Sequence, residues 1–174
     1  MKALLVIDML NDFIYGRENL LINVRDRKSF IRNLESAVAM ARKKKIPVIF
    51  SNCSHTMRHP CVKLTGRHAM MGTKAAQVIP ELKPKRGDYV VGKISFDGFY
   101  KTRLESLLKR LKLDELYITG VQTDCCIRET AISAGYRGFK VLVVKNCCAT
   151  NAKWKSEGAF HFLKNNVGKI VDRF

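Results

Sequence analysis

The chain has 174 residues, 47% of them apolar, and a formal net charge of +17 from 32 basic and 15 acidic side chains. That length fits about one domain, here residues 1–174. The composition excludes disordered, collagen-like and coiled-coil chains, and a chain of this size buries enough surface to fold without disulfides or a metal. The excess of positive charge raises the question of a polyanion partner.

Apolar runs alternate with helical patterns along the chain. Leu4–Ile7 reads as a first strand. A helix follows from about Asp26 to Lys44, with Phe30, Ile31, Leu34, Ala37, Val38 and Ala41 at the spacing of one buried face. Its basic end suits the negative pole of the helix dipole, and Pro47 bars continuation. Ile46–Ser51 is the second strand, and Asn52–Gly72 is a long polar connection of the sort that often carries function. A short helix over Thr73–Leu82 and a turn at Lys83–Gly87 lead to strand three, Asp88–Val91. Thr102 and Glu105 form a capping-box pattern opening a helix with Leu104, Leu107, Leu108 and Leu111 inward. Strand four is Leu116–Thr119, followed by a helix over Cys125–Gly135 and strand five, Phe139–Val144. Residues Lys153–Asn165 read as a helix burying Trp154, Ala159 and Phe162, before a last strand near Lys169–Asp172. Continuous Val/Ile/Leu-rich strands separated by helices predict a three-layer, doubly wound α/β fold: a Rossmann-like, mainly parallel sheet of about six strands with helices on both faces.

No run approaches the ~20 apolar residues of a membrane helix. Asp8 interrupts the apolar N-terminal run and no small-residue cleavage site follows, so a cytoplasmic location and no membrane partner are expected. Six cysteines, four of them in adjacent pairs, suit a disulfide framework badly, which favours reduced thiols.

In such sheets ligands bind beyond the carboxyl ends of the strands. Strand one ends at Asp8, strand three leads to Lys93, and strand four leads to Gly120-Val-Gln-Thr-Asp-Cys-Cys126. Taken singly, Asp8 reads as a turn residue, Lys93 as a surface lysine and Cys126 as a packed thiol. Together they bring a carboxylate, an ammonium and a thiol to one side of the sheet, a set suited to nucleophilic catalysis. Cys126 at a strand-to-helix turn near a lysine favours thiolate, and a partly desolvated Asp8 suits a group that takes the thiol proton and returns it. Lys93 would hold or orient Asp8 and stabilise negative charge. Backbone N–H groups of Gln122–Cys126 can hold an oxyanion.

These residues resemble the isochorismatase-like cysteine hydrolases, a superfamily that includes nicotinamidases and N-carbamoylsarcosine amidases. Leu5-Val-Ile-Asp-Met-Leu-Asn-Asp-Phe13 is similar to the family's V-V-D-M-Q-N-D-F opening, Val91-Gly-Lys93 with Phe96–Thr102 to its K-x-x-Y-S-G-F-x-G-T segment, and Gly120–Arg128 to its G-x-x-T-D-x-C-V-R nucleophile turn. The resemblance implies an Asp8–Lys93–Cys126 triad, with Cys126 rather than Cys125 as nucleophile, and a cis peptide at Val121–Gln122 with Gln122 and Cys126 donating to the oxyanion. It implies attack on a small amide or ureido carbonyl, release of ammonia and hydrolysis of a thioester. That chemistry requires no cofactor. In the nicotinamidase branch an Asp-x-His pair and a later His bind a metal; Cys53, His55 and His68 fall at those places here, a chemically sensible zinc set. Leu10 replaces a usual Gln, Asn151 an Arg of the carbamoylsarcosine branch, and Lys145-Asn146 an expected acid. The resemblance also implies a homo-oligomer.

Phe13, Phe96 and Phe99 are expected to line the pocket and to favour a planar or partly apolar substrate, although each also reads as core. Three other readings compete. A vinyl ether hydrolase of the isochorismatase type does not need the cysteine, so Cys126 argues against it. A nucleic-acid or polyanion binder lacks support because the basic residues are scattered, with no recognition signature. A thiol redox or metal-storage protein is disfavoured because Cys125-Cys126 and Cys147-Cys148 lack the C-x-x-C spacing.

Overall fold

The computed structural model describes residues 1–16 and 24–174. Its sheet has the strand order β3-β2-β1-β4-β5-β6, and every paired neighbour runs parallel. The strands are β1 (Lys2–Ile7), β2 (Val48–Cys53), β3 (Tyr89–Lys93), β4 (Glu115–Val121), β5 (Lys140–Ala149) and β6 (Lys169–Val171). Strands grow outward from β1 through β2 to β3, then the chain crosses back to place β4 on the other side of β1. The strand order therefore reverses between β1 and β4, where open α/β sheets form their binding crevice.

β1 shows why the chain layers as it does. Leu4 and Val6 point into one core with Phe50 and with Leu34, Val38 and Ala41 of helix α2 (Val24–Lys43). Ala3, Leu5 and Ile7 point the other way, into a core shared with α4 (Leu104–Arg110), α5 (Arg128–Tyr136) and α6 (Lys153–Asn166). Strand side chains alternate faces, so an unbroken apolar run demands cover on both. Each fully buried Leu, Ile or Phe contributes roughly 1.5–3 kcal/mol.

The elements differ from the sequence reading where tertiary contacts decide. β2 runs on to Cys53, and the connection after it contains helix α3 (Pro60–Thr65) and a bridge between His55 and Met70. Helix α1 (Asn11–Tyr15) is too short to show a period. The helix expected over Thr73–Leu82 is instead two 3₁₀ turns, Lys74–Ala76 and Pro80–Leu82, because Val78 bridges to Leu10 and Pro80 cannot lie inside a helix. At the capping-box pattern the Thr102 hydroxyl accepts from Leu104 N–H at 3.2 Å, while Glu105 pairs outward with Lys109 and Arg137.

The helix expected from Cys125 opens as a π turn, Thr123–Ile127, before α5. β5 extends past Val144 because a register shift lets it pair again, with Ile118 opposite Val143 and Gly120 opposite Cys148. Cys147 and Cys148 thus lie within a strand. The burial expected in α6 is corrected: Ala159 and Leu163 face the sheet, whereas Trp154 is 71% and Phe162 43% exposed. At 100° per residue Trp154 sits about 140° around the helix from Ala159, so the two cannot share one apolar stripe. Among the described residues no helix is long and apolar enough to cross a membrane.

Candidate active site

The end of β1 and the end of β4 meet at the reversal in strand order. Asp8 follows β1 with φ 52°, a left-handed conformation that few non-glycine residues adopt. Its N–H donates to the Ser51 carbonyl at 3.1 Å, which turns the carboxyl inward. Gly120 has φ 114°, and a Cβ there would stand 2.0 Å from the Ile7 carbonyl oxygen. Only glycine lets β4 approach β1 so closely. Immediately beyond, the Val121–Gln122 peptide is cis.

Lys93 ends β3 opposite Cys53 of β2. Its side chain crosses the end of β2 to reach β1, and it is fully buried, with Asp8 1% exposed. The ammonium lies 2.7 Å from Asp8 Oδ2 and donates to Cys53 Sγ at 2.9 Å, to the Ser95 carbonyl at 3.0 Å and to Cys126 Sγ at 3.4 Å. Asp8 Oδ1 accepts the Cys53 backbone N–H at 2.6 Å, and Oδ2 accepts the Cys53 thiol at 3.5 Å. A buried carboxylate, ammonium and thiol are therefore in mutual contact. Leaving any one unpaired there would cost several kcal/mol.

The electrostatics follow from this dry cluster. Burial lifts Asp8 to about 7 even though Lys93 opposes it. Hydrogen bonds from the Cys125 and Cys53 thiols, joined by the Lys93 charge, hold Cys126 well below the usual thiol range in spite of burial. Burial works against the Lys93 charge, but Asp8, Cys126 and Cys53 outweigh it and hold the ammonium well above its ordinary value. Cys53 is held well above the usual thiol range by its hydrogen bond to Cys126 and by burial. The two thiols are thus shifted in opposite directions, Cys126 toward thiolate and Cys53 toward thiol.

A cavity of about 190 Å³ opens onto the cluster, lined by Asp8, Cys53 and Cys126, by Phe13, Phe96 and Val121, and by Thr65, His68, Gln122 and Cys125. Phe99 is corrected: it lies in the α4/α5 core, 5% exposed and stacked 5.9 Å from Phe139. A neighbouring turn separates its fate from that of Phe96. Asp97 accepts Ser133 Oγ at 2.6 Å and Phe99 N–H at 2.8 Å, and Thr130 Oγ1 accepts Gly98 N–H at 2.9 Å. These bonds pin the segment to α5 and swing Phe99 inward. The N–H groups of Cys125 and Ile127 both donate to the Gln122 carbonyl at 3.1 Å, which removes them as oxyanion donors.

Cys53, His55 and His68 also converge, with one potential ligand atom from each lying within 4.8 Å of the others. His55 is fully buried, and neither ring nitrogen has a hydrogen-bond partner among the described residues. Such orphaned buried nitrogens call for an explanation. His68 Nδ1 lies 2.9 Å from the Gly66 carbonyl; a proton there would leave Nε2 its lone pair. A soft sulfur and two imidazoles fit zinc in ligand type and spacing.

Residues 2–173 match the model of the isochorismatase domain. The chain belongs to the isochorismatase family. It is 31% identical to N-carbamoylsarcosine amidase of Thermoplasma acidophilum, whose structure it matches with a TM-score of 0.87 over 99% of this chain and 98% of that one. It is 25% identical to a nicotinamidase/pyrazinamidase of Bacillus subtilis, with a TM-score of 0.87 over 98% and 99% of the two chains. It is 34% identical over 85% of its length to an Arabidopsis thaliana protein described as a probable inactive nicotinamidase, of which it covers 81%.

Membership of the isochorismatase family marks the chain as a hydrolase. Three departures from the family pattern fall away from the cavity. Leu10 is fully buried, with its N–H on the Asp8 carbonyl at 2.8 Å, while Lys145, Asn146 and Asn151 are exposed and line none of the cavity. The sequence reading treated Cys53 only as a metal-site residue. Its contacts with Asp8 and Lys93 depend on β2 lying between β1 and β3, which spacing along the chain does not reveal.

Proposed function

We propose that this protein is a thiol amidohydrolase acting on a small neutral carboxamide. The observation that carries the reading is the contact among Asp8, Lys93 and Cys126 at the floor of a small cavity. With its proton on Asp8, the Cys126 thiolate attacks the carbonyl carbon of the amide. Lys93 stays charged throughout and stabilises both anionic groups. The backbone N–H groups of Gln122 and Cys126 donate to the oxyanion of the tetrahedral intermediate. Asp8 then protonates the departing nitrogen, ammonia leaves, and a thioester remains. Water attacks the thioester as Asp8 accepts its proton, and the carboxylic acid departs with the thiol restored.

The cavity walls support the substrate class. Phe13, Phe96 and Val121 offer flat apolar surface, and among the described residues lining the cavity none is Arg or Lys. The one nearby ammonium, Lys93, is already shared by Asp8, Cys53 and Cys126. A substrate carboxylate would meet no Arg or Lys among the described lining residues, so a ring carboxamide of the nicotinamide kind fits better than a ureido acid. The test is ammonia release from a panel of neutral carboxamides and ureido acids, wild type against Cys126→Ala. We expect release from ring carboxamides that falls by about 10³-fold or more in the variant. Equal release from Cys126→Ala, or release from ureido acids alone, would refute the reading in mechanism or in substrate.

Cys53, His55 and His68 would hold a zinc ion as part of this site, which supplies a Lewis-acid centre at the cavity edge when bound. The orphaned His55 nitrogens support that assignment. Elemental analysis of the protein after zinc exposure and desalting is expected to find about one equivalent in wild type and none in His55→Ala. Equal metal in both would remove His55 from the ligand set.

A further inference from the structure

We propose that Cys53 and Cys126 form a reversible disulfide when the site meets a peroxide, with Cys53 as the resolving thiol. Their sulfur atoms lie within 4.8 Å of each other. Both face the same cavity, so a small oxidant reaches them by the route a small substrate would take. Both accept from the same Lys93 ammonium, at 2.9 and 3.4 Å. Closing the bond to about 2.0 Å therefore needs side-chain rotation at two residues that already share a partner.

The other thiols are worse placed. Cys125 adjoins Cys126 in sequence, and a bridge between adjacent residues has strained geometry. Cys147 shares the α2-side core layer with Cys53 but, unlike Cys53, does not line the cavity. Cys148 lies against the Ile118 carbonyl at 3.7 Å, and Cys61 lies against Thr65 and His68.

The chemistry balances with hydrogen peroxide as the oxidant. The Cys126 thiolate attacks one peroxide oxygen, the O–O bond breaks, and hydroxide leaves to take up a proton as water. Cys126 is then a sulfenic acid. The Cys53 sulfur attacks the Cys126 sulfur; the S–S bond forms as the S–O bond breaks. The Cys53 proton passes to Asp8 Oδ2, which already accepts it at 3.5 Å, and on to the departing oxygen, which leaves as a second water. Two electrons pass from the sulfurs to the peroxide. A dithiol reverses the bridge by exchange. The bridge ties up the nucleophile of the proposed amidase, yet its formation does not depend on that reading.

The experiment treats the full chain, as purified and again after chelation, with a few equivalents of hydrogen peroxide. Free thiols are then alkylated and peptides mapped without reduction. The expected result is a Cys53–Cys126 cross-linked peptide, in either preparation, that disappears on treatment with a dithiol. Cys53→Ser is expected to carry Cys126 onward to the sulfinic acid, which a dithiol does not restore. Cys125→Ala is expected to keep the cross-link and covers the case in which Cys53→Ser fails to fold. A Cys125–Cys126 bridge, or wild-type Cys126 that is overoxidised or unmodified beside a free Cys53 in both preparations, would overturn the proposal. Because the cross-link is read by mass, its absence and the absence of amidase activity are separate results.

Discussion

Asp8 sets the pH behaviour of the proposed reaction. Burial lifts its carboxyl to about 7, while Cys126 is held well below the ordinary thiol range. Below about pH 7 the pair therefore keeps one proton, on Asp8, beside a thiolate. As pH rises through that value the proton is lost, and with it the acid that protonates departing ammonia. We expect kcat/KM to fall as pH rises through about 7, the descending limb belonging to the pair as a unit. Asp8→Asn, which has no such proton to give, should lower kcat/KM by about 10²–10⁴-fold and flatten that limb. A wild-type profile level across this range would contradict the assignment. The convergence of Asp8, Lys93 and Cys126 was legible in the sequence because strand ends in a parallel sheet point to one crevice. Phe99 was not, since Phe96 and Phe99 look alike until the Asp97–Ser133 and Gly98–Thr130 bonds turn one outward and the other inward.

At the scale of elements, the approach of β4 to β1 carries the site. Gly120 is the position with no slack, because a Cβ would stand 2.0 Å from the Ile7 carbonyl oxygen and φ 114° strains any other residue. Gly120→Ala is expected to cost at least about 2 kcal/mol. At roughly 2–4 °C per kcal/mol for a chain of this size, thermal unfolding should drop by about 4 °C or more. An unchanged Tm would mean that β1 and β4 can separate without loss. The strands β1 to β4 were readable from their apolar runs. The extension of β5 through Cys147 and Cys148 was not, because it depends on a register shift against β4. Nor was the buried face of α6: Trp154 and Ala159 are both compatible with an apolar helix face until the sheet selects one side.

For the whole molecule, the charge of +17 is the unusual quantity. It is what remains of 32 basic side chains once the 15 acidic ones, such as Asp88 on Arg42 at 2.6 Å, are matched in number. Net charge of one sign destabilises a compact chain by self-repulsion, and salt screens it. Tm should therefore rise as salt increases from about 10 mM to 0.3 M, where the Debye length falls from about 30 Å to well below 10 Å. A fall over that range would mean that attractive ion pairs outweigh the net repulsion.

The sequence by itself determined the layered α/β architecture, since unbroken apolar strands need cover on both faces, and it determined which residues stand at the strand ends. It also carried the family motifs in order. Only the tertiary structure decided that β2 lies between β1 and β3, so that Cys53 enters the cluster of Asp8, Lys93 and Cys126. Only it decided that His55 is buried with both ring nitrogens unpartnered among the described residues. Periodicity reports the face on which a residue sits, because that is a local property of the backbone. Which residues share a dry volume, and hence which proton, charge or metal they share, depends on strand order and register, and those are set by contacts between distant parts of the chain.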